Sequence, residues 1–365
     1  MTEAHDSRSA ALAALPLRLD PNPVHTFYEG GGAWRRFRGL SSPADSRWAE
    51  DWVGSCIDSR SPHPEGGTQG VTRVQMPDGE WVSLPRLISE APEKWLGADT
   101  ERWGADPRFQ VKLVAPRDRV PLHVHPDGAF AETHFASPCG KTEAWIIVDA
   151  PGTDGEPAYA GIGFREGVTE EQFRHAFAAQ DRQALVDLVH RTPIKGGDVV
   201  LVPPGVPHYI SGGTFFIEIQ EPADLGILAE WKGVVPDEAS GTGGLTTETA
   251  LSCFKVAPQA REQALEAFQP QGLFQTIAPD QEVALLGASA APCFQARLLA
   301  VADSYAPEDW RYSVNVVVEG EGLLSGPGFR EPIRAGDAFI TAATLDHRYQ
   351  ATTGLLRVVR ALGPS

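Results

Sequence analysis

Three histidines and a glutamate are the side chains best placed to do chemistry. His123 and His125 stand two residues apart in Val-Pro-Leu-His-Val-His-Pro-Asp, and Glu143 opens the apolar run Glu-Ala-Trp-Ile-Ile-Val-Asp. If residues 123–125 form a strand, period-two alternation puts both imidazoles on one sheet face and Val124 on the other. Farther along, Gly197-Asp-Val-Val-Leu-Val leads through Pro-Pro-Gly-Val-Pro to His208. A lone histidine is more often a hydrogen-bonded structural residue than a ligand. Three imidazoles and a carboxylate gathered on one β-scaffold instead suit a divalent metal, Zn, Mn, Fe, Co or Ni, among which ligand type alone does not choose. Lys141, two residues before Glu143, would add a cation or proton donor beside them.

An internal echo indicates what positions these groups. Gly197-Asp198 with its apolar run reappears as Gly336-Asp337-Ala-Phe-Ile-Thr, and a histidine follows each glycine by eleven residues, His208 and His347. Thr142-Glu-Ala-Trp-Ile-Ile-Val-Asp pairs in the same way with Tyr312-Ser-Val-Asn-Val-Val-Val-Glu. Two related β-units are expected, the second with Ser313 in the place of Glu143 and no His-x-His, and therefore structural. Strands are expected at 109–114 and 215–220, and the chain is strand-rich from Cys293 onward.

Between the strands, Thr169 to His190 has helical spacing, with Thr169 and Gln172 as a capping box and with His175 and His190 as surface groups. A further helix is expected over Leu84–Trp95 and another over Ala264–Phe268. Gly30-Gly-Gly lacks the Gly-Lys-Ser/Thr of a phosphate loop and reads as a tight turn. The Pro-Asp-Gly at 77–79 reads as another turn. Trp48-Ala-Glu-Asp-Trp is core with a solvated acid, or the wall of a pocket.

Composition bounds the partners. The 365 residues hold 31 basic and 48 acidic side chains, a net charge of −17, which argues against nucleic-acid and anionic-membrane surfaces. The 37 glycines and 30 prolines favour turns and short strands over long helices. Cys56, Cys139, Cys253 and Cys293 show no CxxC spacing and read as reduced thiols. Met1–Leu15 lacks an unbroken apolar run, so no secretory signal or membrane span is expected, and the chain reads as cytoplasmic.

Taken together, His-x-His-Pro-Asp, Gly-Lys-Thr-Glu before an apolar strand, and Gly-Asp-x4-Pro-x-Gly-x2-His resemble the class I mannose-6-phosphate isomerases. Ala49-Glu-Asp-Trp, Val111-Lys-Leu, the Arg165–Phe173 helical insert, Gly320-Glu-Gly and Gly336-Asp extend the likeness over most of residues 21–362. The resemblance implies a mainly β fold of two cupin (jelly-roll) β-barrel units. Residues 1–20 would be an N-terminal arm, 21–250 a metal-binding cupin with a helical insert at about 167–190, and 251–365 a cupin without a full metal site.

It also implies a metal-dependent aldose–ketose isomerase interconverting mannose 6-phosphate and fructose 6-phosphate through an enediol. His125, Glu143 and His208 carry over as zinc ligands, with His123 where the family usually has Gln. Lys141 carries over from the Gly-Lys-Thr-Glu motif, Glu50 as a pocket acid, and Asp224 from the segment after the Glu-Ile-Gln strand. Two positions depart: Pro121 stands in place of a family Ser, and Leu228 in place of an active-site Arg, with Lys232 a conceivable substitute. These departures keep open an isomerase of an unphosphorylated or different sugar. A metal-dependent cupin oxygenase and a sugar-binding cupin without catalysis are the other classes. Asp224, Lys141 and Glu50 all remain candidates for the base. The expected partner is a small sugar or sugar phosphate.

Overall fold

The computed structural model describes residues 2–153, 155–256, 268–269 and 276–365, with the backbone alone at 2–7 and 268–269. The chain is mainly β, built on three large sheets. One has seven strands, ordered Phe268–Gln269, Val199–Val202, Glu143–Asp149, Phe215–Gln220, Gln110–Val114, Glu50–Val53 and Pro23–Val24. A second has five, ordered Val189–Pro193, Tyr159–Phe164, His208–Ile210, His123–Val124 and Ile227–Leu228. The third, of eight strands, is built from Leu17–Arg18 and strands after residue 280.

The seven-stranded sheet is buried on both faces, which explains its near-continuous apolar strands. Val111, Leu113, Ile146, Val199, Leu201, Ile217 and Ile219 look one way, into a core shared with Val314, Val316 and Ile340 of the eight-stranded sheet. Val114, Trp145, Ile147, Val200, Val202 and Phe216 look the other way, onto Ala160, Ile162 and Ile210 of the five-stranded sheet. By the same alternation Lys112, Glu143 and Glu218 face the five-stranded sheet.

The insert forms helices Glu170–Ala179 and Arg182–Asp187. Thr169 and Gln172 make the expected reciprocal capping box. Phe173, Phe177 and Leu185 cover the outer face of the five-stranded sheet at Leu122, Val124, Tyr209 and Ile227. Val124 therefore points away from its flanking histidines, as period two requires. His175 is exposed, but His190 lies on the Val189–Pro193 strand instead of the helix.

Local chemistry explains the other turns and breaks. Gly31 adopts φ 94° at the start of helix Gly32–Phe37, and Gly79 φ 89° between strands Arg73–Gln75 and Trp81–Ser83. The helix expected over Leu84–Trp95 is two helices, Leu84–Glu90 and Pro92–Leu96, because Pro92 has no N–H with which to continue the first. The expectation for Ala264–Phe268 lies outside the described residues up to 267, and Phe268 begins a two-residue strand.

The repeat is visible in the register. Val202, five residues after Gly197, opposes Glu143, and Thr341, five after Gly336, opposes Ser313. Both glycines have positive φ, and the following aspartates accept backbone N–H groups of Lys195 and Arg334. Among the described residues the four cysteines are free thiols, and no helix is long and apolar enough to cross a membrane.

Candidate metal centre and its acid–base cavity

Two sheets contribute different chemistry to one cavity of about 710 Å³. The five-stranded sheet supplies imidazoles, His123 and His208 opposite one another in register and His125 just past the strand end. The seven-stranded sheet supplies charges: Glu143, Lys112 paired across from Glu218, and Glu50. Lys141 and Asp224 come from the adjoining loops. His123, His125, Glu143, Lys141, Asp224 and Glu50 all line the cavity, and His208 lies fully buried behind them.

The candidate ligand atoms of His123, His125 and His208 lie within 4.8 Å of one another. Each ring has its Nδ1 on a backbone carbonyl: His123 on Pro121 at 2.8 Å, His125 on Leu225 at 2.6 Å and His208 on Val206 at 2.8 Å. An Nδ1–H so engaged leaves Nε2 as a neutral lone pair, the form in which imidazole binds a metal. Glu143 reaches His125 Nε2 at 2.9 Å and His208 Nε2 at 3.2 Å. Burial, then the neighbouring His208, holds His123 well below the usual imidazole range; burial, then Lys141, pushes His125 down to about 3. For Glu143 burial pulls upward, but Lys141 and His125 outweigh it and hold the carboxyl well below its ordinary value. The donor set fits a divalent cation. Buried His208 Nε2 and Glu143 Oε2 make no well-aligned hydrogen bond despite these close neighbours, and among the described residues four carboxylates (Glu50, Glu143, Glu218, Asp224) face two ammoniums, Lys112 and Lys141.

Lys141 Nζ sits 3.0 Å from both His125 Nε2 and Glu143 Oε2. Glu50 accepts from Tyr28 Oη at 2.5 Å and Trp52 Nε1 at 2.7 Å. Asp224 accepts from Ser59 Oγ at 3.0 Å and the Arg60 backbone N–H at 2.7 Å. Two groups absent from the sequence-derived set join them. Lys112, under the Trp52 ring, lies 3.5 Å from Glu50, 3.3 Å from Glu218 and 4.0 Å from Asp224, and these acids hold its ammonium above its usual value despite burial. Glu218 stands between Lys112 and Lys141, its carboxyl raised by burial and by Glu143. Their sequence signal is a single charge inside an apolar strand, Gln-Val-Lys-Leu-Val and Phe-Phe-Ile-Glu-Ile-Gln.

Leu228 lines the cavity and pairs with His123 in register. Lys232 is not among the lining residues; its backbone N–H is held by Gln180 Oε1. Exposed Arg47 and Arg60 are the arginines along the wall.

No protein-family model matches the chain. It is 28% identical to the mannose-6-phosphate isomerase of Streptococcus mutans over 211 residues, 58% of this chain and 59% of that protein. It is 33% identical to a probable mannose-6-phosphate isomerase of Bacillus subtilis over 114 residues, 31% of this chain and 34% of that protein. The chain thus spans less than two thirds of the curated relatives it matches. Among solved structures, a zinc-bound mannose 6-phosphate isomerase superposes with a TM-score of 0.71 at 16% identity, covering 96% of this chain and 100% of the other. The Bacillus subtilis mannose 6-phosphate isomerase gives 0.68 at 21% identity, covering 94% and 99%. The chain has the fold of these solved structures and is similar in sequence to the curated isomerases over part of its length.

Proposed function

We propose that this divergent relative of the mannose-6-phosphate isomerases is a metal-dependent aldose–ketose isomerase. His123, His125, Glu143 and His208 would hold one divalent ion, zinc first. The observation that carries the reading is the trio of imidazoles whose Nδ1 atoms are tied to carbonyls and whose ligand atoms converge within 4.8 Å, with His125 and His208 also meeting Glu143. When bound, the ion would supply positive charge where a sugar's carbonyl and adjacent hydroxyl become negative.

The protein's own groups would do the rest. A proton must leave C2 of the aldose and return at C1, so a base and an acid must lie together beside a stabilised oxygen. Glu218, Lys112 and Lys141 form such a chain of carboxylate and ammonium groups, and Asp224 and Glu50 hold Lys112 in place. Trp52, Trp145 and Phe216 give the cavity apolar walls that limit water.

Mannose 6-phosphate is the first candidate substrate. A sugar without phosphate, or phosphorylated elsewhere, is the second, favoured by buried Leu228 and by Pro121. The test is exchange of the C2 proton in deuterated water by metal-loaded protein, with mannose 6-phosphate and free mannose side by side. Exchange with the phosphate, abolished by chelation and restored by zinc, is the expected result. Exchange with free mannose alone selects the second substrate. No exchange with either sugar, or with aldoses phosphorylated at another carbon, at full metal occupancy overturns the isomerase reading.

A further inference from the structure

We propose that the chain carries a second ligand site, for a phosphate-type oxyanion, between the helical insert and the outer face of the five-stranded sheet. The site does not depend on the isomerase reading. A cavity of about 760 Å³ lies there, lined by Arg119, Arg165, Arg182, Arg191, Tyr159 and Tyr209 among others, with Asp187 as its lining carboxylate. Four arginines around one hollow stand out in a chain of net charge −17.

Their partners leave positive charge over. Arg119 and Arg182 share the single carboxylate of Glu230, Arg119 in a two-pronged contact at 2.7 Å and 2.7 Å and Arg182 at 3.0 Å. Glu230 is fully buried and also accepts the Leu122 N–H, so it is committed to the fold. Arg191 lies over the Tyr159 ring at 3.6 Å and meets exposed Glu156 only at 3.5 Å. The Arg165 side chain enters no ion pair among the described residues. Guanidiniums held over tyrosine rings or locked to a carboxylate present their remaining N–H edges with little entropy left to lose.

An independent observation points to a ligand. Tyr209 is 1% exposed, lines the cavity, and its hydroxyl is buried with no hydrogen-bond partner. Its ring is fixed from below by Gly161, where a Cβ would come within 2.1 Å of it, and from above by Arg119 at 5.3 Å. A fixed, unpaired O–H donor among guanidiniums suits an acceptor-only oxyanion. The site is separate from the metal cavity: strand alternation sends His208 to one face and Tyr209 to the other, and the two cavities share no lining residue.

The test is calorimetric titration of the full chain with inorganic phosphate and with glycerol 2-phosphate. Binding of one equivalent is expected, retained in Glu143→Gln, weakened at least ~10-fold in the Arg165→Gln/Arg191→Gln double variant and a few-fold in Tyr209→Phe. Tighter binding of the ester names an organic phosphate as the ligand, and equal binding names the inorganic ion; both support the site. Binding lost in Glu143→Gln but kept in the double variant would place the anion in the metal cavity and overturn the proposal. So would absence of heat with both probes up to ~10 mM. Arg165, Arg182 and Arg191 are exposed, so thermal midpoints near that of the parent chain check that the double variant folds.

Discussion

Glu218 is the carboxylate on which the proposed chemistry turns. Glu50 and Asp224 each accept two hydrogen bonds from neighbouring protein groups. Glu218 Oε1 instead lies 3.3 Å and 3.8 Å from two ammoniums and makes no hydrogen bond. A base needs a free lone pair more than it needs a partner. Replacing Glu218 by Gln keeps the shape and removes the proton acceptor. The variant should retain its metal, measured by elemental analysis, and lose about 10²–10⁴-fold in turnover. Unchanged turnover would shift the role to one of the other acids. The residue was hard to find from sequence because Lys112 and Glu218 come from distant segments and meet only through strand register. The histidines were legible because their spacing already encodes a shared face.

At the scale of elements, the helical insert braces the sheet that carries the imidazoles. Its capping box was legible because everything it needs lies within four residues, Thr169 to Gln172. Where the Leu84–Trp95 helix divides was visible too, in Pro92, although apolar spacing alone ran through it. That His190 belongs to a strand was not, since only pairing with Tyr159–Phe164 makes it one. Two substitutions separate the insert's local stability from its bracing. Thr169→Ala removes one cap and should cost about 1 kcal/mol. Phe173, 1% exposed against Phe164 and Phe254, should cost about 3–5 kcal/mol as Phe173→Ala. Denaturant titration reads both costs. Metal affinity should hold in the first variant and fall in the second, because Val124, Tyr209 and Ile227 share that cluster with Phe173. Equal metal affinity in both would mean that the imidazoles are positioned without the insert.

For the whole molecule, the second β-unit keeps the scaffold and replaces the ligands with hydrogen bonds. Ser313 Oγ meets Thr341 Oγ1 at 2.7 Å, and Asn315 Nδ2 donates to the Ser313 carbonyl at 3.1 Å and Tyr349 Oη to Asn315 Oδ1 at 3.1 Å. His347 repeats the pose of His208, with Nδ1 on the carbonyl two residues back at 2.8 Å, yet Ser313 stands in the register position that Glu143 holds in the first unit. Its surroundings hold Arg360, Asp346 and Glu282; burial dominates and pushes the imidazole down to about 4. That makes His347 a term in the stability of the entire chain. The unfolded histidine takes up a proton as pH falls through about 6.5, while the folded one stays neutral until about 4. Protons therefore favour the unfolded state across this window, and stability present above pH ~6.5 is lost on acidification, by up to about 3 kcal/mol from this group. His347→Asn keeps a donor near the Nδ1 position and cannot titrate. In metal-free protein, where the first unit's histidines contribute alike to both chains, the variant and parent stability curves should run parallel above pH ~7. Below that the parent should fall more steeply, the gap closing to a constant near pH 4. Parallel curves over the whole range would show that His347 charges in the folded state as easily as in the unfolded one, and that the second unit tolerates a cation at its centre.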